Sequence, residues 1–341
     1  MTAPLDAPES AQHAEPEAIA QGRRDIASRS LTQIAWRRLR QDRVALGGGI
    51  VVLLLILVAI FAPLLTHWFG HPPNQFHQDL IDPATQGVLK NPNDPWSGID
   101  PTGGMSKEHL LGVEPVNGRD LFSRIVYGAR ISLLVAFLST LLCVTIGTVL
   151  GILAGYLGGW VDTVISRAMD IFLAFPLLLF AIALAGVIPD EAFGLSDNAL
   201  RIAVLVFIIG FFSWPYIGRI VRGQTLSLRE REFVEAARSM GAGTGHIIFR
   251  EILPNLVAPI LVYATLLIPT NILFEAALSF LGVGVNPPTP TWGHMLSESL
   301  DYYAVAPHFV IIPGLAIFIT VLAFNLFGDG LRDAFDPRST D

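Results

Sequence analysis

The chain has 341 residues, 52% of them hydrophobic and only 15% charged, with a net charge of −7 and a mean hydropathy of +0.54. A soluble domain carries about 25% charged residues; here the deficit falls in several long apolar runs, which excludes a soluble globular protein and predicts a polytopic membrane protein. The single cysteine, Cys143, lies inside one of those runs, so no intrachain disulfide can form.

Residues 1–30, rich in Ala, Pro, Glu and Gln and without apolar periodicity, read as a disordered tail, and 1–43 as a largely disordered N-terminal segment. The run Val44–Leu65 can cross roughly 30 Å of hydrocarbon. It is longer than the roughly 7–15 apolar residues of a signal peptide, so it is predicted as an uncleaved first span at about 44–66. Five further spans are predicted at about Ile131–Leu157, Ala168–Ile188, Leu200–Ile220, Leu256–Phe280 and Phe309–Phe327, with Asp170 and Pro176 interrupting the third.

The connection after the first span holds seven prolines from Pro72 to Pro115. His67, His71, His77 and Asp79 crowd its beginning, and imidazoles suit transition metals. The proline-rich segment gives them no fixed spacing, however, and no metal site is expected. At the far end, Arg119–Arg130 places Leu121, Phe122, Ile125, Val126 and Ala129 at helical spacing, with Asp120, Ser123, Arg124, Tyr127 and Arg130 on the other side, a pattern suited to the membrane interface.

Span two carries Ser139, Cys143, Gly147, Gly151 and Gly155, each four apart. Such a stripe of small residues lets another backbone approach closely in lipid, and the neighbour could belong to this chain or another. Span five carries Asn271, Glu275 and Ser279 at the same spacing after Pro269. A mid-membrane acid is costly and faces a bundle interior or water. Asn271, Glu275 and Ser279 are therefore candidates to line a translocation path; alternatively, Glu275 holds helices together, through Asn325 or a backbone carbonyl. Asp170 reads as solvated near a membrane boundary.

Sixteen Arg residues flank one side of the predicted spans, against six Lys or Arg on the other. That bias puts both termini and the 221–255 connection in the cytoplasm. This connection is far longer than a helix hairpin needs. In it, Phe233, Val234, Ala236, Ala237 and Met240 share one helical face, and Arg231, Glu235 and Arg238 form a stripe able to pair along the helix. Gly241 suits a left-handed helix end. Thr244 can cap a second short helix, His246–Leu253, which Pro254 closes. Such an elbow could enter a soluble partner's groove or lie on the lipid surface.

ATP hydrolysis belongs elsewhere. A phosphate-binding loop needs Gly-Lys-Ser/Thr after its glycines, whereas the two lysines, Lys90 and Lys107, follow Leu89 and Ser106. No nucleophile–base pair and no zinc-protease helix is visible. A secondary transporter working alone would show two related halves around a midplane ion site, and no such halves are seen.

Glu235-Ala236-Ala237, then Gly241, then Leu253-Pro254 resembles the cytoplasmic signature of binding-protein-dependent ABC importer permeases, departing from it at Glu251, where an apolar residue is expected. Three other stretches narrow the resemblance to the C-type permease subunit of dipeptide/oligopeptide (and nickel) importers. They are Gly118-Arg119-Asp120-Leu121-Phe122-Ser123-Arg124 with Tyr127-Gly128-Ala129-Arg130, Glu275-Ala276-Ala277-Leu278-Ser279-Phe280-Leu281-Gly282, and Asn325-Leu326-Phe327-Gly328-Asp329-Gly330 with Asp336-Pro337-Arg338. The likeness covers about 30–338, with 1–29 and the loop near 70–108 outside it or unusually elaborated.

The resemblance implies an all-α integral membrane fold of six spans. A type I permease core lies at 129–329, with one extra N-terminal helix, an external insertion at 67–128 and a cytoplasmic tail at 330–341. It further implies a cytoplasmic-membrane complex with a second homologous permease, two ATPases that bind ATP and Mg, and an extracytoplasmic substrate-binding lipoprotein. Phe233, Val234, Glu235, Ala236, Ala237, Met240, Gly241, Leu253 and Pro254 would then couple this subunit to an ATPase. The chain would hold no cofactor and no catalytic residue, would bind no nucleic acid, and would pass a di- or oligopeptide or similar small solute inward.

Overall fold

Apolar runs in lipid must satisfy every backbone N–H and C=O internally, which makes each of them a helix. The computed structural model describes residues 31–94, 96–185, 191–192 and 194–335. Among these, five helices are long and apolar enough to cross a membrane, and a bent pair makes a sixth crossing when counted as one span. The all-α expectation holds. The predicted disorder of residues 1–30 falls outside the described residues.

Helix α1 (Leu31–Gln41) lies inside the segment expected to be largely disordered. It is ordered because Ala35 and Leu39, one turn apart, pack with Ala45 and Ala334 beside Phe327 and Leu331. Asp42 then caps α2 (Arg43–Ile60), its carboxylate accepting the N–H of Val44 at 2.9 Å and of Ala45 at 3.1 Å, which satisfies two donors that a helix start leaves orphaned. After a break at Phe61, α3 (Ala62–Phe69) continues the first span with a proline in its first turn.

The central element is α4 (Leu121–Leu157), 37 residues without a break. The predicted interfacial segment and span two are thus one helix. The polar face of residues 120–124 does not meet headgroups; the insertion and a later short helix cover it, leaving Arg124 only 1% exposed. The small-residue stripe of α4 faces α7 (Asp197–Arg229) of the same chain. A Cβ on Gly151 would lie 2.7 Å from the carbonyl oxygen of Gly218, a separation that only glycine permits. The opposite side of α4 packs Leu133 and Ala136 against Ile268, Ile272 and Phe324, with Val52 of α2 at the periphery.

Between α4 and α7, α5 (Gly159–Ala174) and α6 (Leu177–Ala185) meet at 76°. Pro176 disfavours a helical residue before it, and Phe175 is accordingly extended, with φ −76 and ψ 127. The predicted third span therefore starts earlier than expected and breaks at Pro176, and its last residues, 186–188, lie outside those described. A two-residue hairpin of β1 (Glu191–Ala192) and β2 (Leu195–Ser196) precedes α7.

Helix α8 (Glu232–Ser239) is the elbow. The second elbow helix differs from expectation. Gly243, not Thr244, sits at its N-cap, and a turn at Thr244–His246 leads through a π-helical stretch, Ile247–Ile252, directly into α9 (Leu253–Phe280). Pro254 closes nothing. It occupies the first turn of α9, where a missing N–H costs no intrahelical bond. Helix α10 (Trp292–Ser299) precedes α11 (Pro307–Phe335), which returns to the elbow end of the bundle.

The insertion folds around Ile81, Val88 and Val113 with isolated bridges Ile81↔Val88, Leu89↔Ile99 and Val113↔Asp120. It is seated on the bundle by His308 of α11, whose ring nitrogens lie 3.3 Å from the Pro101 carbonyl and 2.8 Å from that of Val113.

Candidate functional site

At the elbow end, α8 does not present the single apolar face read from its spacing. Val234 and Ala237 are buried with Ile217 and Val221 of α7 and with Ile247, Ile252 and Leu256, and Leu253 packs beside them. Phe233 and Met240 point the other way, 39% and 82% exposed, with Ala236 and Pro254 also exposed. The helix ends as its glycine predicts. Gly241 has φ +85, its N–H donates to the Arg238 carbonyl, and that of Ala242 donates to the Ala237 carbonyl at 3.0 Å, a glycine-terminated cap. Arg231, Glu235 and Arg238 are exposed and form no ion pair with one another. Charge pairing at this end joins α5 to α7. Arg222 of α7 grips Asp162 of α5, with one guanidinium nitrogen 2.7 Å from Oδ2, and Arg219 donates to Asp170 at 2.6 Å. Asp170 is thus paired rather than merely solvated.

In the middle of the bundle, Asn271, Glu275 and Ser279 are all buried on α9. Ser279 donates to Glu275 Oε1 at 2.8 Å, and Asn271 donates to Thr140 Oγ1 of α4 at 2.8 Å. Glu275 is therefore bonded by the next turn of its own helix and not by Asn325. Of the three, only Asn271 also borders a cleft of about 400 Å³ between α7 and α9, lined among others by Ser213, Tyr216, Tyr263 and Thr270.

At the insertion end, three buried charges, Glu114, Arg119 and Arg124, meet a half-buried Glu298. The carboxylate of Glu114 meets the guanidinium groups of Arg119 and Arg124, the latter at 2.8 Å, and Glu298 of α10 lies 3.4 Å from each arginine. Arg124 also donates to the Pro288 carbonyl at 3.3 Å. Burial works to raise the Glu298 carboxyl, but the His294 ring 3.5 Å away and the positive charges of Arg124 and Arg119 outweigh it and hold it below the usual carboxylate range. Arg119 and Arg124 stand in a stretch that the sequence singles out, whereas Glu114 and Glu298 do not. Glu298, 174 residues from Arg124, lies beyond any local pattern, whereas Glu114 stands only five residues before Arg119.

Beside this clamp, the rings of His71, His77 and His109 pack with centroids 4.6 to 5.0 Å apart, each offering a nitrogen within 4.8 Å of the others. The grouping differs from the one suggested by sequence, because His109 joins from the far side of the insertion while His67 is exposed and Asp79 stands outside the group. His109 Nδ1 lies 3.0 Å from Asp120 Oδ1. Burial raises the Asp120 carboxyl, but hydrogen bonds from His109 and from the Ser123 backbone more than compensate and hold it low. Burial, followed by the adjacent His109 imidazole, holds the His71 ring below its usual value.

Comparison with known proteins fits this architecture. The family model for the inner membrane component of binding-protein-dependent transport systems matches residues 147–341. The chain belongs to that family: it is a multi-pass inner membrane permease subunit of ABC import, and not itself catalytic. A second model, the N-terminal TM domain of oligopeptide transport permease C, matches residues 30–91, which makes the chain an OppC-type permease.

The glutathione transport system permease protein GsiD of Pectobacterium atrosepticum is 42% identical over 92% of this chain and 94% of its own length. The dipeptide transport system permease protein DppC of Alkalihalophilus pseudofirmus is 43% identical over 89% of both chains. Among solved structures, a chain of the MetNI methionine ABC transporter in an inward-facing form aligns with a TM-score of 0.51 at 21% identity, covering 63% of this chain and 97% of that one; the shared property there is the fold. The match to the N-terminal model through residue 91 also brings residues 70–91, expected outside the family likeness or unusually elaborated, into it.

Proposed function

We propose that this subunit passes short peptides, of the dipeptide or glutathione class, inward across the cytoplasmic membrane. It would pair with a second homologous permease, two ATPases and an extracytoplasmic substrate-binding lipoprotein. The substrate class is supported by the identities to a glutathione and a dipeptide permease. The topology, with both termini and the elbow cytoplasmic and the insertion external, is supported by the arginine bias. In this reading α8 is the coupling helix. The observation that carries it is the split of α8: Val234 and Ala237 anchor the helix in the bundle while Phe233 and Met240 stand exposed on its far edge. An anchored helix with a free apolar edge transmits force to a groove; a loosely attached one would not.

The test is Gly241→Val. A Cβ at Gly241 meets nothing within 4 Å, so the change acts through its positive φ alone, a strain of at least about 1 kcal/mol. Transport and ATPase copurification should fall while membrane insertion and permease pairing persist, with the milder Ala242→Val as control. Normal import and normal ATPase retention in Gly241→Val would sink the assignment.

Asn271 then serves to hold α9 against α4 through Thr140, with Glu275 and Ser279 buried and bonded to each other beside it, and the α7–α9 cleft, closed by the second permease, forms this subunit's wall of the path. Glu275→Gln should lower detergent stability together with transport and ATPase activity. Lost transport with intact stability and ATPase activity would instead put the carboxylate in the path.

A further inference from the structure

We infer that His71, His77 and His109 form a binding site for a divalent late first-row transition ion of the zinc class, which pins the insertion to the head of α4. The case starts from the tautomers. His77 Nδ1 lies 3.0 Å from the Gly118 carbonyl oxygen, and His109 Nδ1 lies 3.0 Å from Asp120 Oδ1. Both oxygens accept only, so both Nδ1 atoms carry a proton, and Nε2 is the nitrogen of each ring with a lone pair to offer a metal. His71 keeps a buried Nδ1 with no hydrogen-bond partner. An imidazole nitrogen left this way is costly in a group that serves only packing. Three rings, with two lone pairs fixed in place and one unpaired nitrogen, are what a metal ion would satisfy.

The distances fit. One ring nitrogen of each histidine lies within 4.8 Å of one on each of the other two. Zinc–nitrogen bonds of about 2.0–2.1 Å require each ring to move inward by less than about 1 Å, which side-chain rotation supplies. The supporting groups are also those that metal sites use. A histidine ligand whose other nitrogen donates to a carboxylate or a backbone carbonyl has its orientation fixed and its basicity raised. Asp120 is itself held, its Oδ2 accepting the Ser123 N–H at 2.9 Å as the N-cap of α4. Gly118 is fixed too: its φ is +66, and a Cβ there would collide with the His77 backbone. Three histidines leave a fourth position for water or another small ligand. The ion is structural here: it would tie the end of the α3 span, the start of the insertion and its far loop to one end of α4.

The test uses the full chain in lipid nanodiscs, purified without a polyhistidine tag, with Zn2+ alone as the probe. One equivalent per chain is expected to resist mild chelation and to slow proteolysis of the insertion. His77→Ala and His109→Ala should each weaken binding at least about 100-fold, and Asp120→Asn by about 10–100-fold. His67→Ala, at an exposed neighbouring histidine, should leave it unchanged. His77→Gln, which retains a donor for the Gly118 carbonyl, covers the case in which His77→Ala misfolds. Co2+ bound to the wild-type chain should give the visible absorption of a four-coordinate site. No stoichiometric zinc on the wild-type chain, or equal binding in His77→Gln, overturns the proposal.

Discussion

The insertion and the elbow helix handle charge in opposite ways. At the insertion end Glu114, Arg119 and Arg124 are gathered out of water and pair with one another and with a half-buried Glu298. At the elbow end Arg231, Glu235 and Arg238 stand in solvent without pairing with one another, next to an exposed Met240. Buried charges are committed: each depends on its partners, because an unpaired ion in a low dielectric is expensive. Exposed charges contribute little to the fold, so changing them leaves the bundle intact. One end is built to stay assembled, and the other displays groups that the fold itself does not use.

The comparison can be broken most forcefully at Arg124. Arg124→Met removes a guanidinium that touches Glu114 and approaches Glu298 and should cost about 3–5 kcal/mol. The readout is protease sensitivity of the insertion and a lower unfolding midpoint in detergent; an unchanged midpoint would mean that the cluster is not load-sharing. Acid gives a smaller effect confined to the same end. The Asp120 carboxyl is held low in the folded chain, so its contribution is fully present above about pH 4, the unfolded value. It is lost as pH falls through the lower folded value. Hydrogen exchange of residues 105–123 should accelerate in that window, that of α8 should not, and Asp120→Asn should remove the difference. The smallest effect belongs to the elbow. Met240→Ser should change stability by no more than about 0.5 kcal/mol and yet reduce ATPase copurification. A loss of bundle stability in this variant would show that Met240 packs internally.

Much of this architecture is legible in the sequence, because spans are long-range averages of local hydropathy. The runs beginning at Val44, Leu200, Leu256 and Phe309 all fall within observed helices, and Pro176 marks the observed break. Gly241 is legible because a left-handed helix end nearly demands that residue. What local pattern cannot give is the identity of whatever covers a face. The polar side of residues 120–130 reads as interfacial until Glu114 and Glu298 are seen to enclose Arg124. The apolar side of α8 reads as one face until α7 claims Val234 and Ala237. His109 stands 32 residues from His77, with only the folded insertion to join them. Pro254 misleads for a different reason: the same residue that ends a helix is equally at home in the first turn of one.

The unbroken length of α4 has a mechanical consequence. Its 37 residues, at about 1.5 Å of rise each, make a rod about 55 Å long, well beyond the hydrocarbon thickness, with no hinge along it. Its head is locked to the insertion through Asp120 and Arg124, and its foot lies against α7 near Arg229, which donates to the Tyr156 carbonyl. A rod of that length tilting by about 5° around its middle shifts each end by about 2.4 Å in opposite directions. The stiffness that makes α4 a good spine therefore also makes it a seesaw: a tilt imposed at one face of the membrane reappears, reversed, at the other.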